Sequence, residues 1–239
     1  MVESTLNRLE KNIQLTALEL PMNFQQARAN MVVQQVRPWQ VFDDNVLAAL
    51  SVVPRENFVP PEYLNLAYSD TDIPLSEGQT MLPPKTVGRA LQALNFNGQE
   101  KVLEIGTGTG YVTACLAKLV NAVISIEIQP GLLSQAEKNL GKMNFRNLTL
   151  EQGNAVYGWE EYAPYDAIIV TGSYPIGVPE KVCDQLKVTG GRLFAICGLG
   201  PSMEAVMIER QGENFRTQTL FETNVPALIH APSPPKFVF

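Results

Sequence analysis

A short apolar segment that runs into a glycine-rich turn constrains the fold of this chain most strongly. The segment Val102–Ile105 contains Glu104, and Gly106, Gly108 and Gly110 follow it. Glycine adopts backbone angles that other residues avoid, and it lets a ligand approach the main chain without meeting a Cβ atom. The pattern therefore predicts a strand, a ligand-binding turn and a helix in succession.

The glycine spacing separates two kinds of nucleotide-like ligand. A dinucleotide fingerprint places its third glycine one position later, where this chain has Tyr111, and it holds a pyrophosphate at the helix N-terminus. S-adenosylmethionine has no phosphate, and Glu104 beside the turn suits its ammonium and sulfonium charges. The spacing favours an S-adenosylmethionine site, with an ordinary tight turn as the alternative.

Three further apolar segments are each followed by a polar residue. Glu127 follows the glycine turn at close to the distance at which nucleotide-binding folds place the carboxylate that binds both ribose hydroxyls. Asn154 is suited to a hydrogen bond with the adenine amino group. The alternatives are that Glu127 is a solvated residue at a strand end and that Asn154 marks a plain turn. The pairs are Val123–Ile126 with Glu127, Leu148–Glu151 with Asn154, and Tyr165–Val170 with Thr171.

Repeated strand and helix units predict a parallel sheet whose strands all end at one crevice. After Gly190 the pattern changes to strand-like runs joined by turns, and Gln211–Asn214 indicates an antiparallel hairpin. The predicted fold is an α/β, Rossmann-like class I S-adenosylmethionine-dependent methyltransferase with a mostly parallel sheet, a C-terminal antiparallel hairpin and an N-terminal helical cap. The predicted cofactor-binding residues are Glu104, Gly106, Thr107, Gly108, Gly110, Glu127, Ile128, Asn154, Ala155 and Thr171.

Composition excludes several classes of protein. The 239 residues carry a net charge of −6 without a basic cluster, which argues against a nucleic-acid partner. The sequence has no long apolar run and no signal-peptide pattern, so we expect no membrane partner and a cytoplasmic location. Cys115, Cys183 and Cys197 are widely spaced in apolar contexts, which predicts buried free thiols and no metal site.

Histidine scarcity bears on the mechanism. The only histidine, His230, lies in a proline-rich tail, where a surface position is more common than a catalytic one. Without it the chain has no obvious base for a neutral amine or hydroxyl, although Glu, Asp, Tyr or Lys could serve. A carboxylate is already ionised near neutral pH and needs only positioning and exclusion of water. The sequence therefore favours an acid as the methyl acceptor.

Three segments are predicted along the chain. Residues 1–21 form an N-terminal extension, residues 22–85 a helical cap and substrate-side segment, and residues 86–239 the S-adenosylmethionine-binding core. Asp43 or Asp44 is predicted to cap a helix in the second segment, where Arg55 is a candidate for contact with a peptide. The proline-rich stretch Pro226–Pro235 resembles a linker.

Segments spread over most of the chain after Met22 resemble a known family. They are Met31–Val36, Asp44–Leu47, Val53–Pro60, Ala67–Asp70, Ile73–Leu75, Gly78–Thr80, Val102–Tyr111, Tyr165–Thr171 and Leu220–Glu222. Together they resemble the protein-L-isoaspartate O-methyltransferase family. The resemblance implies that S-adenosylmethionine is the cofactor and that the acceptor is the stray carboxyl group of isoaspartyl residues in damaged proteins.

One position departs from the family pattern. In the family, an apolar residue and then an active-site serine follow the Gly-Gln-Thr segment, whereas here Leu82 stands at the serine position. Leucine donates no hydrogen bond, and a carboxylate facing it loses an interaction worth about 1–3 kcal/mol. We expect Thr80 or Lys85 to take over part of the serine's role. The resemblance implies catalytic positions at Thr80 and Leu82 and substrate contacts at Gln79, Met81 and Lys85.

Two functions of different class remain open at this stage. The first is a carboxyl methyltransferase that acts on peptide or protein carboxylates, or on a small-molecule acid. The second is a cofactor-binding relative without isoaspartyl activity that serves as a sensor or partner protein. A nicotinamide-dependent oxidoreductase is disfavoured by Gly110 and by the C-terminal hairpin. The sequence does not indicate the oligomeric state.

Overall fold

The computed structural model describes residues 22–235, so the predicted extension 1–21 lies outside the described residues. Within 22–235, no helix combines the length and the apolar character needed to cross a membrane. The helices are α1 (Phe24–Asn30, continued by a wider π-helical turn, Met31–Val36), α2 (Asp44–Val52), α3 (Pro84–Ala93), α4 (Tyr111–Leu119), α5 (Pro130–Gly141) and α6 (Glu180–Cys183). Short 3₁₀ turns cover Arg37–Trp39, Arg55–Asn57, Pro61–Leu66, Ser76–Gly78 and Glu160–Tyr162.

Seven of the nine described strands form one sheet in the order β5-β4-β3-β6-β7-β8-β9. The first five of these pair in parallel, and β8 and β9 are antiparallel. β1 and β2 pair separately as a small antiparallel ribbon. The strands are β1 (Ile73–Pro74), β2 (Thr80–Met81), β3 (Lys101–Ile105), β4 (Ala122–Glu127), β5 (Leu148–Gln152), β6 (Ala167–Tyr174), β7 (Thr189–Cys197), β8 (Met203–Gln211) and β9 (Asn214–Thr223).

The sheet confirms the predicted fold class. β3, β4 and β6 are nearly continuous apolar strands because helices cover both faces of the parallel region. Gln211 pairs with Asn214 across a two-residue turn, which is the predicted hairpin between β8 and β9. Cys115 and Cys183 are buried and Cys197 is half-buried, and all three are free thiols.

The N-terminal helices pack on the sheet as a cap. Asp43 caps α2, because its Oδ1 accepts hydrogen bonds from the backbone N–H groups of Asn45 and Val46. Buried side chains of the cap, among them Met31 and Leu50, share one hydrophobic core with the sheet. The predicted boundary between residues 85 and 86 falls inside α3, and the division into three segments stays a prediction.

The C-terminal tail does not have the linker character that its prolines indicated. Ser173 of β6 donates its backbone N–H to the Pro226 carbonyl at 3.0 Å, and the N–H of Leu228 donates to the Ser173 carbonyl at 3.0 Å. The expectation of a linker is therefore wrong for the start of this stretch. Local composition could not indicate that β6 offers it backbone partners. His230 is exposed, as expected.

Candidate functional site

A cavity lies at the carboxyl ends of the parallel strands. We call it the edge cavity. It contains the turns that follow β3, β4, β5 and β6, together with the segment before β2 and the tail. The predicted site residues that line it are Gln79, Thr80, Gly106, Gly108, Glu127, Ile128, Asn154, Ala155 and Thr171.

The turn after β3 requires glycine for conformation and for space. Gly106 has φ 94°, and a Cβ atom there would lie 2.4 Å from the Thr171 Oγ1 atom. Gly110 has φ 89°, and its Cβ position lies 3.0 Å from the side chain of Leu140 on α5. Gly110 does not line the edge cavity. Gly110 was predicted to contact the cofactor, and the structure corrects this: the missing side chain lets the turn pack closely against α5.

Glu127 lies at the end of β4 and faces the edge cavity with only 4% of its surface exposed. Its Oε2 accepts the backbone N–H of Gly108 at 2.8 Å, and its Oε1 accepts that of Gln129 at 3.0 Å. Each carboxylate oxygen has a second lone-pair site. Glu127 therefore braces the glycine turn and keeps acceptor capacity for hydroxyl groups in the cavity.

Asn154 and Thr171 line the edge cavity, but each makes a hydrogen bond with the backbone. Asn154 Oδ1 accepts the N–H of Val156 at 3.1 Å. Thr171 Oγ1 donates toward the carbonyl of Gly106 at 2.6 Å. Both side chains thus fix the turns around the cavity, and their direct contact with a cofactor stays a prediction.

Glu104 is not placed as its sequence context indicated. Its side chain is fully buried behind the glycine turn, where its Oε2 accepts hydrogen bonds from Thr113 at 2.5 Å and Ser125 at 2.6 Å. Ser125 in turn bonds to Thr107 at 2.6 Å. Burial raises the pKa of Glu104 to about 8. The expected direct contact between this carboxylate and cofactor charges is corrected to support of the turn from behind.

This burial gives a testable pH dependence. The folded pKa of Glu104, about 8, exceeds its ordinary value of 4.5, so the folded state holds the proton more tightly. The resulting stability is fully present below the ordinary pKa and is lost as the pH rises toward 8. We expect the free energy of unfolding to fall between pH 5 and 8 in the wild type and to change less in Glu104→Gln. Urea unfolding across this range measures it, and equal slopes in both proteins would contradict it.

A second, smaller pocket of about 330 Å³ adjoins the edge cavity behind the Thr80–Leu82 segment. We call it the inner pocket. Leu75, Thr80, Gly106, Gly108 and Thr171 line both spaces. The remaining lining residues are Arg55, Met81, Leu82, Thr107, Thr109, Tyr111 and Val112.

Two of the predicted catalytic positions, Thr80 and Leu82, lie in this inner pocket. Leu82 is buried with 4% of its surface exposed, so an apolar side chain occupies this wall. The Oγ1 atom of Thr80 is buried without a hydrogen-bond partner among residues 22–235. Such an atom is costly unless a ligand or water satisfies it. Thr80 therefore offers a hydroxyl where the two spaces meet.

Lys85 lies elsewhere. Its Nζ forms an ion pair with Asp70 at 2.6 Å and sits 4.2 Å from the centre of the Trp39 ring. It lines neither the edge cavity nor the inner pocket. The expectation that Lys85 replaces part of the serine's role is corrected on this geometry, because α3 turns the side chain toward Asp70.

Several lining residues were not identified from the sequence. Gln129 and Leu228 line the edge cavity, and Tyr111 lines the inner pocket beside Arg55, which the sequence had indicated as a candidate for contact with a peptide. Gln129 lies two residues after the strand-end Glu127, so its position just after β4 was an available signal. The sequence contained no signal for Leu228, because its position depends on how the C-terminal tail crosses β6.

Comparisons with known proteins identify relatives of this chain. Residues 27–227 match the family model described as protein-L-isoaspartate(D-aspartate) O-methyltransferase. A protein named protein-L-isoaspartate O-methyltransferase from Syntrophus aciditrophicus is 39% identical over 192 residues, which cover 80% of this chain and 87% of the relative. One of the same name from Dictyoglomus thermophilum is 40% identical over 190 residues, covering 79% and 85%.

Solved structures agree with these relatives in fold. A structure titled protein-L-isoaspartate O-methyltransferase superposes with a TM-score of 0.75 at 25% identity, covering 86% of this chain and 67% of that chain. A Plasmodium falciparum structure described as a putative enzyme of this name, in complex with S-adenosyl-L-homocysteine, gives a TM-score of 0.71 at 20% identity. It covers 87% of this chain and 99% of its own.

Proposed function

This chain belongs to the protein-L-isoaspartate(D-aspartate) O-methyltransferase family, and from that membership we propose that it transfers a methyl group from S-adenosylmethionine to a carboxylate. The observation that carries the proposal is the junction of the edge cavity and the inner pocket along the Gly106–Gly108 turn. A cofactor in the edge cavity and an acceptor in the inner pocket would therefore lie next to each other at this turn. The family confirms the predicted cofactor and enzyme class.

The residues of the edge cavity fit S-adenosylmethionine. Gly106 and Gly108 line the cavity without side chains, and Glu127 keeps acceptor capacity for ribose hydroxyls. The Nε2 atom of Gln129 is buried without a partner among the described residues, so it is a donor for a bound ligand. We propose that Asn154 and Ala155 contact the adenine and that the Gly106–Gly108 backbone holds the rest.

We propose that the inner pocket promotes methyl transfer by positioning the acceptor carboxylate. S-adenosylmethionine supplies an electrophilic methyl group that a carboxylate accepts without losing a proton, so the residues need not include a general base. Leu75, Met81 and Leu82 give the pocket apolar walls that exclude water. We propose that the Thr80 hydroxyl donates a hydrogen bond to the acceptor carboxylate, while Gln79 and Met81 flank it.

A radiolabelled methyl-transfer assay tests this function. The wild type is incubated with methyl-labelled S-adenosylmethionine and either an isoaspartyl peptide, its aspartyl twin or a lysate. Because carboxyl methyl esters hydrolyse in mild base, whereas methylamines do not, release of volatile label in base identifies a carboxylate acceptor. We expect base-labile label in at least one of these samples. Label that is stable to base, or no label at all, would contradict the proposal.

One observation favours the second candidate, a cofactor-binding relative without isoaspartyl activity. Leu82 places an apolar side chain in the inner pocket at the position of the family's serine. Binding of S-adenosylhomocysteine without methyl transfer to any sample would support a sensor or partner role. The cytoplasmic location and the exclusion of nucleic-acid and membrane partners stay predictions.

A further inference from the structure

The loop Leu75–Gln79 lies over one side of the edge cavity. It joins β1 to β2, which pair through Pro74 and Thr80, so the loop is the tip of a small hairpin. Leu75 and Gln79, at its two ends, line the edge cavity, while residues 76–78 between them are exposed. A Cβ atom at Gly108 would lie 3.7 Å from the Leu75 Cδ1 atom, so the loop also packs on the glycine turn. We call this loop the strap.

Two side-chain hydrogen bonds tie the strap to opposite sides of the cavity. The Oγ atom of Ser76 donates to Oε1 of Gln129, at the start of α5, at 3.0 Å. The Nε2 atom of Gln79 donates to the carbonyl of Ala227, in the tail, at 3.3 Å. α5 follows β4 and the tail crosses β6, and these strands lie on either side of β3 in the sheet. The first bond therefore depends on how the Gln129 side chain is held.

Gln129 is the member of this arrangement with an unpaired atom inside the cavity. The residue lines the edge cavity and is only 9% exposed. Its backbone N–H donates to Glu127, and its Oε1 accepts from Ser76, but its Nε2 is buried without a partner among residues 22–235. A buried donor without an acceptor is costly. The orientation of Gln129 that holds Ser76 is thus disfavoured until an oxygen atom in the cavity accepts from Nε2.

We propose that Gln129 couples cofactor binding to the strap: its Nε2 donates to an oxygen atom of the bound S-adenosyl compound, and this bond keeps its Oε1 in place for Ser76. The inference rests on the proposed function for its cofactor and adds a positioning role for Gln129 and Ser76. Leu75 of the strap lines the inner pocket as well as the edge cavity. A strap that is fastened by the cofactor therefore fixes one wall of the inner pocket, and the expected order of binding is cofactor first and acceptor second.

Calorimetric titration with S-adenosylhomocysteine tests the two bonds in the full-length protein. Methionine has nearly the length of glutamine without its donor and acceptor, so we expect Gln129→Met to weaken binding by about five- to twentyfold. Ser76→Ala keeps the Nε2 donor and loses the bond to the strap, and it should weaken binding by about three- to tenfold. The double variant should bind no more weakly than Gln129→Met, because the bond to Ser76 is already absent there.

Amide hydrogen exchange of the strap measures the coupling from the other side. Coupling between two sites is reciprocal, so saturating S-adenosylhomocysteine should slow exchange of the strap amides in the wild type by about three- to tenfold. This slowing should disappear in Gln129→Met and in Ser76→Ala, even when both are saturated with ligand. A merely structural role for Gln129 would change the exchange equally with and without the ligand.

Gln135→Met is the matched control. Gln135 lies on α5 outside both cavities, and its Nε2 donates to Asn139 at 2.9 Å. The control should match the wild type in affinity and in ligand-dependent exchange. If Gln129→Met does not fold, Ser76→Ala carries the test, because Ser76 is exposed and outside the core.

The results separate this inference from the proposed function. Equal affinity of the wild type and Gln129→Met for S-adenosylhomocysteine would overturn the inference, as would a ligand that slows the strap equally in the wild type and Ser76→Ala. A wild type that shows the coupling but transfers no methyl group would overturn the proposed function alone. Methyl transfer by a wild type whose strap does not respond to the ligand would overturn the inference alone.

Discussion

Replacing Leu82 by serine is expected to raise the rate of isoaspartyl methylation by about ten- to hundredfold, from a wild-type rate that is low or absent. The physical reason is the apolar side chain that lines the inner pocket at the position where the resemblance predicts the family's serine. A hydrogen bond made mainly in the transition state lowers the barrier by about 1.4–2.7 kcal/mol, which corresponds to this gain. Initial rates with an isoaspartyl peptide at saturating S-adenosylmethionine measure the effect.

Leu82→Ala is the matched control for this prediction. It removes the same bulk from the pocket wall without adding a hydroxyl, so a gain caused by space alone appears in both variants. The prediction requires the gain in Leu82→Ser to exceed that in Leu82→Ala by about tenfold. A wild type as fast as a serine-bearing relative under matched conditions would refute the role given to Leu82. A Leu82→Ser variant that binds cofactor but methylates no faster than the wild type would show that the hydroxyl alone does not restore activity.

Replacing Glu127 by alanine is expected to weaken S-adenosylhomocysteine binding by about 1–3 kcal/mol, roughly five- to 150-fold in the dissociation constant. Two effects contribute. The variant loses an acceptor for ribose hydroxyls, and it frees the N–H groups of Gly108 and Gln129 that the carboxylate now holds. Calorimetric titration of the wild type and the variant measures the change, and equal affinities would contradict the ribose role.

A ligand without the 2′-hydroxyl separates these two effects. We expect the wild type to bind the 2′-deoxy analogue of S-adenosylhomocysteine more weakly than the parent compound, because Glu127 loses a hydroxyl partner. Glu127→Ala should bind the two compounds alike. If the variant still discriminates between them, Glu127 acts only as a brace for the turn. Glu151→Ala is the control for loss of a half-buried carboxylate, since Glu151 accepts hydrogen bonds from Trp159 and Tyr162 rather than from the turn.

The glycine turn, the parallel strands and the C-terminal hairpin were predictable because they depend on local pattern. Apolar runs without alternation specify strands covered on both faces, and the right-handed connection rule brings their carboxyl ends together. The rule correctly placed Glu127 and Asn154 at one cavity. It did not determine side-chain direction, so Glu104, at the same edge, points behind the turn toward Thr113 and Ser125.

The sequence by itself determined the family, the fold class and the turn that faces the edge cavity, because each depends on short local patterns along the chain. Only the tertiary structure decided which side chains share the inner pocket. Arg55, Leu82 and Tyr111 are far apart in the chain and meet because the cap, the β2 segment and α4 pack on one core. The tail is a similar case, since Leu228 reaches the edge cavity through backbone bonds to Ser173. Such contacts depend on packing between distant elements, which no local pattern encodes.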